Sequence, residues 1–339
     1  MRGEEKGEKV PVGVLGATGL VGQRFIHLLQ EHPRYYVAVV AASSASAGKA
    51  YNQAVKWRHP GDPPLAVANL QVQECKVESF IGKVNWIFSA LDTDTAVQVE
   101  PEFAKHFPVF SNASAYRMIH PLVVPSANPE DIQEARRQQS DGNKGFIITN
   151  SNCTVSGVAV VCAILQKHVG ALKSLMVTTM QSVSGAGANP GLSFYDIDDN
   201  VIPFIRGEEE KMAEELRKIL KAPELQMSVA CNRVHVSEGH MVCLSLSYQN
   251  IGKQSKSELI ELTRKALEKN GSICLLEECD RPQPKLDRHR DGGMAVSVGR
   301  LRECEVMDLK MVILINNLVL GAAGASLRNA ELAEAQGLF

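Results

Sequence analysis

The sequence is informative first for what it lacks. None of its eight cysteines, at positions 75, 153, 162, 231, 243, 274, 279 and 304, forms a Cys-x-x-Cys pair. The one close pair, Cys274 and Cys279, has no matching second pair or nearby histidine, so no metal site of zinc-like spacing is expected. Scattered thiols of this kind fit a reducing, cytoplasmic setting. A basic patch or tail is also missing. With a formal net charge of -2 at pH 7, nucleic acid is not an expected partner. No apolar run reaches the length of a bilayer span without polar interruption. Residues 306–324 come closest and hold Asp308, Lys310, Asn316 and Asn317, so no membrane partner is expected. The opening ten residues are charged and lack an apolar core, unlike a secretory signal, and residues 2–9 read as a charged lead.

What is present begins with a strand, Val10 to Leu15, followed by Gly16-Ala17-Thr18-Gly19-Leu20-Val21-Gly22 and a helical run from Gln23 to Gln30. In a strand–helix junction the first glycine permits a tight turn, the second lets backbone approach a pyrophosphate, and the third lets helix pack on strand. The helix N-terminus would hold the phosphates. The next strand, Val37 to Ala42, does not end in the acid that usually holds the ribose hydroxyls of NAD. It runs into Ser43-Ser44-Ala45-Ser46-Ala47-Gly48-Lys49, whose serines and lysine suit a 2′-phosphate, so NADP is the expected cofactor. An ordinary Ser/Gly loop would look the same. Further strands end at Ser89-Ala90-Leu91 and at Asn112, at the rim where such sheets bind ligands, and Arg117 follows on that rim as a planar fork for phosphate or carboxylate. Asn128 reads as a helix cap. The alternation of strands and helices predicts a Rossmann-like, doubly wound α/β domain.

A second junction follows. Gly145 to Thr149 reads as a strand, Val158 to His168 as a helix, and between them lies Ser151-Asn152-Cys153-Thr154-Val155-Ser156-Gly157. Cys153 would sit near helix N–H groups that favour negative charge, where a thiol becomes a usable nucleophile. A small buried core cysteine would suit the same place. Beyond it the pattern changes to strands with few intervening helices, which predicts an α+β domain with a mixed sheet and one face free for a cofactor or partner subunit. Gln181, after the first of these strands, is placed to orient a carbonyl, within a Gly/Ser stretch that reads equally as a hinge. Glu208 and Lys211, three apart at the start of a helix, could grip an amine and an anion, or simply satisfy the helix dipole. Arg233 is a candidate carboxylate fork. His240, or less favourably His235, would be the base a cysteine nucleophile needs, and spacing does not decide between them. The loop 280–293 reads as a solvated or intersubunit face, and the small residues 316–324 permit close approach to the cofactor or first domain.

The Gly-Ala-Thr-Gly-Leu-Val-Gly loop, Asn152-Cys153-Thr154, the Arg233…His240 stretch and the tail Asn316-Asn317-Leu318-Val319-Leu320-Gly321-Ala322-Ala323-Gly324 together resemble aspartate-semialdehyde dehydrogenase, in its fungal and archaeal branch. The resemblance runs over nearly the whole chain. It implies an NADP-binding domain over 1–152, joined by the C-terminal helix 322–339, and a catalytic and dimerisation domain over 153–321. It implies Cys153 as nucleophile and His240 as acid/base, with Asn152 and Gln181 supporting the thioester region. Arg233 would hold the substrate carboxylate, Glu208 its amino group, and Arg117 and Lys211 phosphate. Gly16, Thr18, Gly19, Leu20, Val21, Gly22, Ser89, Leu91 and Asn317 would contact the cofactor, with Ser43, Ser44 and Ser46 at its adenosine phosphate and Asn317 near the nicotinamide. A homodimer or dimer of dimers is implied, as is a step on the route from aspartate to lysine, threonine and methionine. One departure stands out: Val234-His235-Val236 replaces the family's frequent Val-Pro-Val. The competing functions are another acyl-reducing dehydrogenase, acting on malonyl-CoA or N-acetylglutamyl phosphate, and a non-catalytic NADP-binding protein.

Overall fold

The computed structural model describes residues 9–59, 61–139, 143–187, 194–250 and 254–339. The charged lead up to residue 8 and the centre of the polar turn at 140–142 lie outside the described residues. The chain divides into two compact units. One runs to Pro121 and takes in Ile132–Thr149 and Asn329–Phe339; the other comprises Leu122–Asp131 and Asn150–Arg328. The segment Leu122–Asp131, which a linear reading places in the first unit, clusters with the second because Leu122 and Val124 join its apolar core.

The first unit is built on six parallel strands: β1 (Val10–Leu15), β2 (Tyr35–Ala42), β3 (Gln73–Glu74), β4 (Trp86–Ser89), β5 (Pro108–Ser111) and β6 (Phe146–Thr149). Their order is β3-β2-β1-β4-β5-β6. β4, β5 and β6 are buried at every position, as strands covered on both faces must be, and this is why they read as short continuous apolar runs. Helices α1 (Leu20–Gln30) and α2 (Thr93–Ala104) supply cover, α2 capped by the Asp92 side chain on Thr95 N. The strand order reverses between β1 and β4, where Leu15 pairs with Ser89; ligands of open α/β sheets bind at this switch point. The C-terminal segment is bound by polar and aromatic contacts: Tyr35 donates to Glu334 at 3.0 Å, and Phe339 packs on Trp86 with ring centroids 4.8 Å apart.

The second unit holds a seven-stranded mixed sheet of β7 (Leu172–Gln181), β8 (Val201–Ile202), β9 (Gln226–Val234), β10 (His240–Tyr248), β11 (Ile273–Leu276), β12 (Val296–Glu303) and β13 (Leu309–Ile315), in the order β11-β12-β13-β10-β7-β9-β8. Helices α3 (Cys153–His168), α4 (Glu208–Ile219) and α5 (Lys256–Glu268) bury their apolar stripes on one face. α3 is buried along most of its length, and Gly157 lets it lie close on the sheet: an added Cβ would meet Ile315 at 2.5 Å. The opposite face alternates with it and presents Met176, half exposed, and Cys243.

Two local expectations are corrected. Asn128 does not cap the following turn, which is 3₁₀ over Pro129–Ala135; its side chain accepts from Val124 N and donates to Leu122 O and Asp131, bracing a loop instead. The loop 280–293 is not simply solvated. Asp287 is buried there between Arg281 and Arg290, whose hydrogen bonds hold its carboxyl well below the usual carboxylate range. Local sequence shows a charge run, but only packing decides that one member of it goes inside.

Candidate active site

The register of the second sheet gathers one end of four strands. Gln181 at the end of β7 pairs with Arg233 near the end of β9; Met241 pairs with Met180, and His240 at the start of β10 pairs with Ile315 at the end of β13. Asn316 and Asn317 follow directly. The N-terminus of α3 meets this edge, so that Cys153 Sγ lies 3.2 Å from His240 Nε2 across 87 residues of sequence. His240 is completely buried whereas Cys153 is half-buried. Burial first, then the Arg233 guanidinium, pushes the His240 pKa down to about 3, so the imidazole is neutral at pH 7. His235, the other candidate, is exposed beyond β9 and 3.3 Å from Asp198.

The α3 N-terminus is closed by protein groups. Asn152 caps it, Oδ1 accepting from Thr154 N at 2.9 Å, while Nδ2 donates to Glu208 at 2.8 Å. The Asn152 backbone N–H donates to Glu215 at 2.6 Å. Glu208 also accepts from Gln181 Nε2 at 3.4 Å. Gly321 lies on the back of Cys153, where a Cβ would come within 2.9 Å of the cysteine Cβ; the small residues of 316–324 therefore permit approach to the helix that Cys153 begins. Arg233 is buried, donates to Ser182 O at 2.7 Å, and has its pKa lowered chiefly by burial. Lys211 lies one turn into α4, half-buried, beside Gly207. A cavity of about 610 Å³, lined by Gln166, Lys167 and His168 at the far end of α3, contains none of these residues.

Several participants were not anticipated. Glu215 is seven residues beyond Glu208, two turns along the same helix face, a spacing that offered a signal. Ser182 and Ser184 lay inside a stretch that also read as a hinge. Asn317, expected near the cofactor, has its amide engaged with Gly239 N, Ser182 and Ser184. Neighbouring Asn316 donates to Glu238, and Arg288 donates to Glu238 O, which braces the loop leading into His240.

In the first unit the glycine loop fits a dinucleotide. Gly16 has φ +69°, and a Cβ there would strike Ala90 O at 2.5 Å; a Cβ on Gly22 would strike Gly16 O at 2.2 Å. Gly19 is the α1 cap, no side chain closes that helix end, and nothing stands nearer than 3.4 Å to the place of its Cβ. Backbone N–H groups and open space at a helix N-terminus suit a pyrophosphate. Thr18 O accepts from the buried Gln23, which holds the loop in shape; Leu20 and Val21 start the helix. Ser43 and Ser44 are exposed after β2 and Ser46 half-buried, with no acid among them. Ser89 is buried at the β4 end, and Leu91 adjoins Gly16. Arg117 is buried in this unit, donating to Asn112 O at 2.9 Å.

A doubly wound unit with an open glycine loop and an α+β unit carrying a cysteine–histidine couple are the two parts expected of a semialdehyde dehydrogenase. Models of that class match: the NAD binding domain over residues 11–135 and the dimerisation domain over 162–320. The chain belongs to the aspartate-semialdehyde dehydrogenase family. It is 44% identical to the aspartate-semialdehyde dehydrogenase of Trichophyton rubrum, over 96% of this chain and 97% of that one. It is 42% identical to the Saccharomyces cerevisiae enzyme (98% and 100% covered) and 41% to that of Methanothermobacter thermautotrophicus (95% and 98% covered). Among solved structures, the Candida albicans enzyme with NADP aligns with a TM-score of 0.88 at 38% identity, covering 98% of this chain and all of that one. The Vibrio cholerae enzyme II, complexed with ASA, aligns at 0.80 and 27%, with the same coverage.

Proposed function

We propose that this NADP-dependent aspartate-semialdehyde dehydrogenase reduces L-4-aspartyl phosphate to L-aspartate 4-semialdehyde and phosphate, reversibly, with Cys153 as nucleophile and His240 as acid/base, in lysine, threonine and methionine biosynthesis. The observation that carries the residue assignment is the 3.2 Å approach of Sγ to a neutral, buried imidazole at a helix N-terminus. Nε2 takes the thiol proton as sulfur attacks the acyl carbon. The C–S bond forms, the bond to phosphate oxygen breaks, and the departing phosphate receives a proton from the imidazolium. NADPH, when bound, supplies the hydride that reduces the resulting thioester. The hemithioacetal alkoxide on Cys153 then collapses, breaking the C–S bond to release the aldehyde, and the thiolate takes a proton from solvent by way of His240.

Arg233 binds the substrate carboxylate as a fork, supported by its burial at the strand edge beside the catalytic pair. Glu208 takes the amino group, Asn152 and Gln181 hold the thioester region, and Arg117 and Lys211 take phosphate. The cofactor is held by Gly16, Thr18, Gly19, Leu20, Val21 and Gly22 at the pyrophosphate, and by Ser43, Ser44 and Ser46 at the 2′-phosphate. Ser89, Leu91 and Asn317 serve the nicotinamide end. NADP binding is assigned to residues 1–152 with the C-terminal helix 322–339, and catalysis and dimerisation to 153–321, while Leu122–Asp131 and the chain from Asn150 up to Arg328 pack with the second unit. We infer a homodimer or dimer of dimers through the open sheet face, and a cytoplasmic setting in which the thiol stays reduced.

The test is reduction of NADP by aspartate semialdehyde in the presence of phosphate, with NAD and coenzyme A as comparison arms. Phosphate-dependent, NADP-selective turnover supports the reading. Turnover that requires coenzyme A instead assigns the chain to an acyl-CoA reductase, and no turnover in any arm returns it to a non-catalytic binding protein.

A further inference from the structure

On the side of His240 away from Cys153, Ser182 offers Nδ1 two groups of opposite polarity. The Ser182 backbone N–H donates to Nδ1 at 3.1 Å, and Ser182 Oγ lies 3.1 Å from the same atom. A neutral imidazole carries one proton. With that proton on Nε2, Nδ1 accepts from the backbone N–H. With it on Nδ1, the hydroxyl oxygen receives it, while the backbone N–H, which points at the same nitrogen, opposes it. The second form is the one chemistry needs, because it alone leaves a lone pair on Nε2 facing the thiol.

Asn317 aims that hydroxyl. Its Oδ1 accepts from Gly239 N at 2.9 Å, which fixes oxygen rather than nitrogen at that position. The Ser182 hydroxyl donates to the same oxygen at 3.1 Å, while Asn317 Nδ2 donates to Ser184 Oγ at 3.0 Å. With its proton directed to Asn317 Oδ1 rather than to Ser184 Oγ, which lies 3.1 Å away and itself accepts from Asn317 Nδ2, Ser182 Oγ turns lone pairs to Nδ1. Ser182, His240 and Asn317 are all buried, so no water competes for these positions.

We infer that Ser182 is the positioning residue that makes His240 a competent base: its hydroxyl, oriented by Asn317, stabilises the Nδ1-protonated imidazole and the imidazolium formed when Nε2 takes the Cys153 proton. The inference rests on the Cys153–His240 reading and extends it to the other face of the ring. Proton balance is kept: the thiol proton moves to Nε2, the Nδ1 proton stays shared with Ser182, and the Nε2 proton leaves on phosphate. The charged groups around the ring are Cys153 on α3 and Arg233 on β9, with Glu208 of α4 acting on Arg233. Burial and Arg233 both oppose a charged ring, so an acceptor on Nδ1 matters more than it would in water.

The experiment is Ser182→Ala in the full chain. The backbone N–H remains and the acceptor is lost, which holds the proton on Nε2. At pH 7, kcat is expected to fall by about 10- to 100-fold, the usual contribution of an acid/base group, with KM within about twofold. Activity recovers towards alkaline pH, where hydroxide replaces the base. Alkylation of Cys153 by iodoacetamide follows the same displaced pH curve, and NADP binding is unchanged. A Ser182→Ala enzyme with the parent pH profile, whether its kcat is unaltered or lowered equally at every pH, overturns the inference. Failure of the underlying reading looks different: there, Cys153→Ala itself retains turnover.

Discussion

The chain uses the same local grammar twice, and the two copies end as different devices. At β1–α1 and at β6–α3 an apolar strand runs through small residues into a helix whose N-terminus has N–H groups to satisfy. At α1 the cap is Gly19, no side chain closes the end, and the approach is open. At α3 the Asn152 side chain closes the end, Glu215 takes the cap's own N–H, and Cys153 occupies the first helical position. One helix end is thus left for a ligand's negative charge, whereas at the other the Asn152 side chain takes the Thr154 N–H and a thiol stands at the first helical position. Which of the two a helix N-terminus becomes depends on whether the chain supplies the acceptors itself.

The sharpest way to break this contrast is Cys153→Ala. Turnover is expected to drop by roughly four or more orders of magnitude, while NADP binding, followed by fluorescence titration, stays at the parental value. Loss of both together would mean that the two junctions do not do separate work. The second effect concerns stability. His240 is driven below its unfolded value of 6.5 to about 3, so between those pH values the unfolded chain binds the extra proton. Stability from this group is present above pH 6.5 and is lost on acidification towards 3, by at most about 1.4 kcal/mol per pH unit. Denaturant titrations across that window should show a steeper fall for the parent than for His240→Gln; parallel curves would contradict the buried neutral imidazole.

Gly22→Ala comes next. Its Cβ would stand 2.2 Å from Gly16 O, and backbone has to move, at a cost of about 1–3 kcal/mol together with weakened NADP binding. A melting temperature and a cofactor Kd read both. The smallest effect separates the caps directly. Asn152→Ala should cost about 1 kcal/mol of stability and lower kcat, whereas Gly19→Ala should leave stability within about 0.5 kcal/mol and weaken NADP binding alone. If Asn152→Ala changes cofactor affinity and Gly19→Ala does not, the assignment of the two helix ends is reversed.

Much of this was readable in advance. Most strands and helices of both units, the glycine loop, Cys153 at a strand-to-helix junction, and Arg233 and His240 near strand ends leave short-range marks: apolar periodicity, caps and turn residues; the short strands β3, β8 and β11 do not. The family resemblance added roles that periodicity does not carry. Glu215, Ser182 and the engagement of Asn317 are not among them, and Asp287 sits in a charged run that reads as a solvated or intersubunit face. Each depends on partners far away in the chain. Asn152 and Glu215 are 63 residues apart, and Ser182 and Asn317 are 135 apart. No local pattern distinguishes a serine that faces a catalytic ring from one in a hinge.

By itself the sequence determined most of the segments that form strands and helices, where the chain can turn tightly, and that a cysteine stands at a strand-to-helix junction, because these follow from interactions within a few residues. The tertiary structure alone decided that His240 is neutral and 3.2 Å from that cysteine, and that one serine faces the far side of its ring. Strand register sets those distances, and burial sets the charge state by removing the water that would otherwise stabilise a proton there.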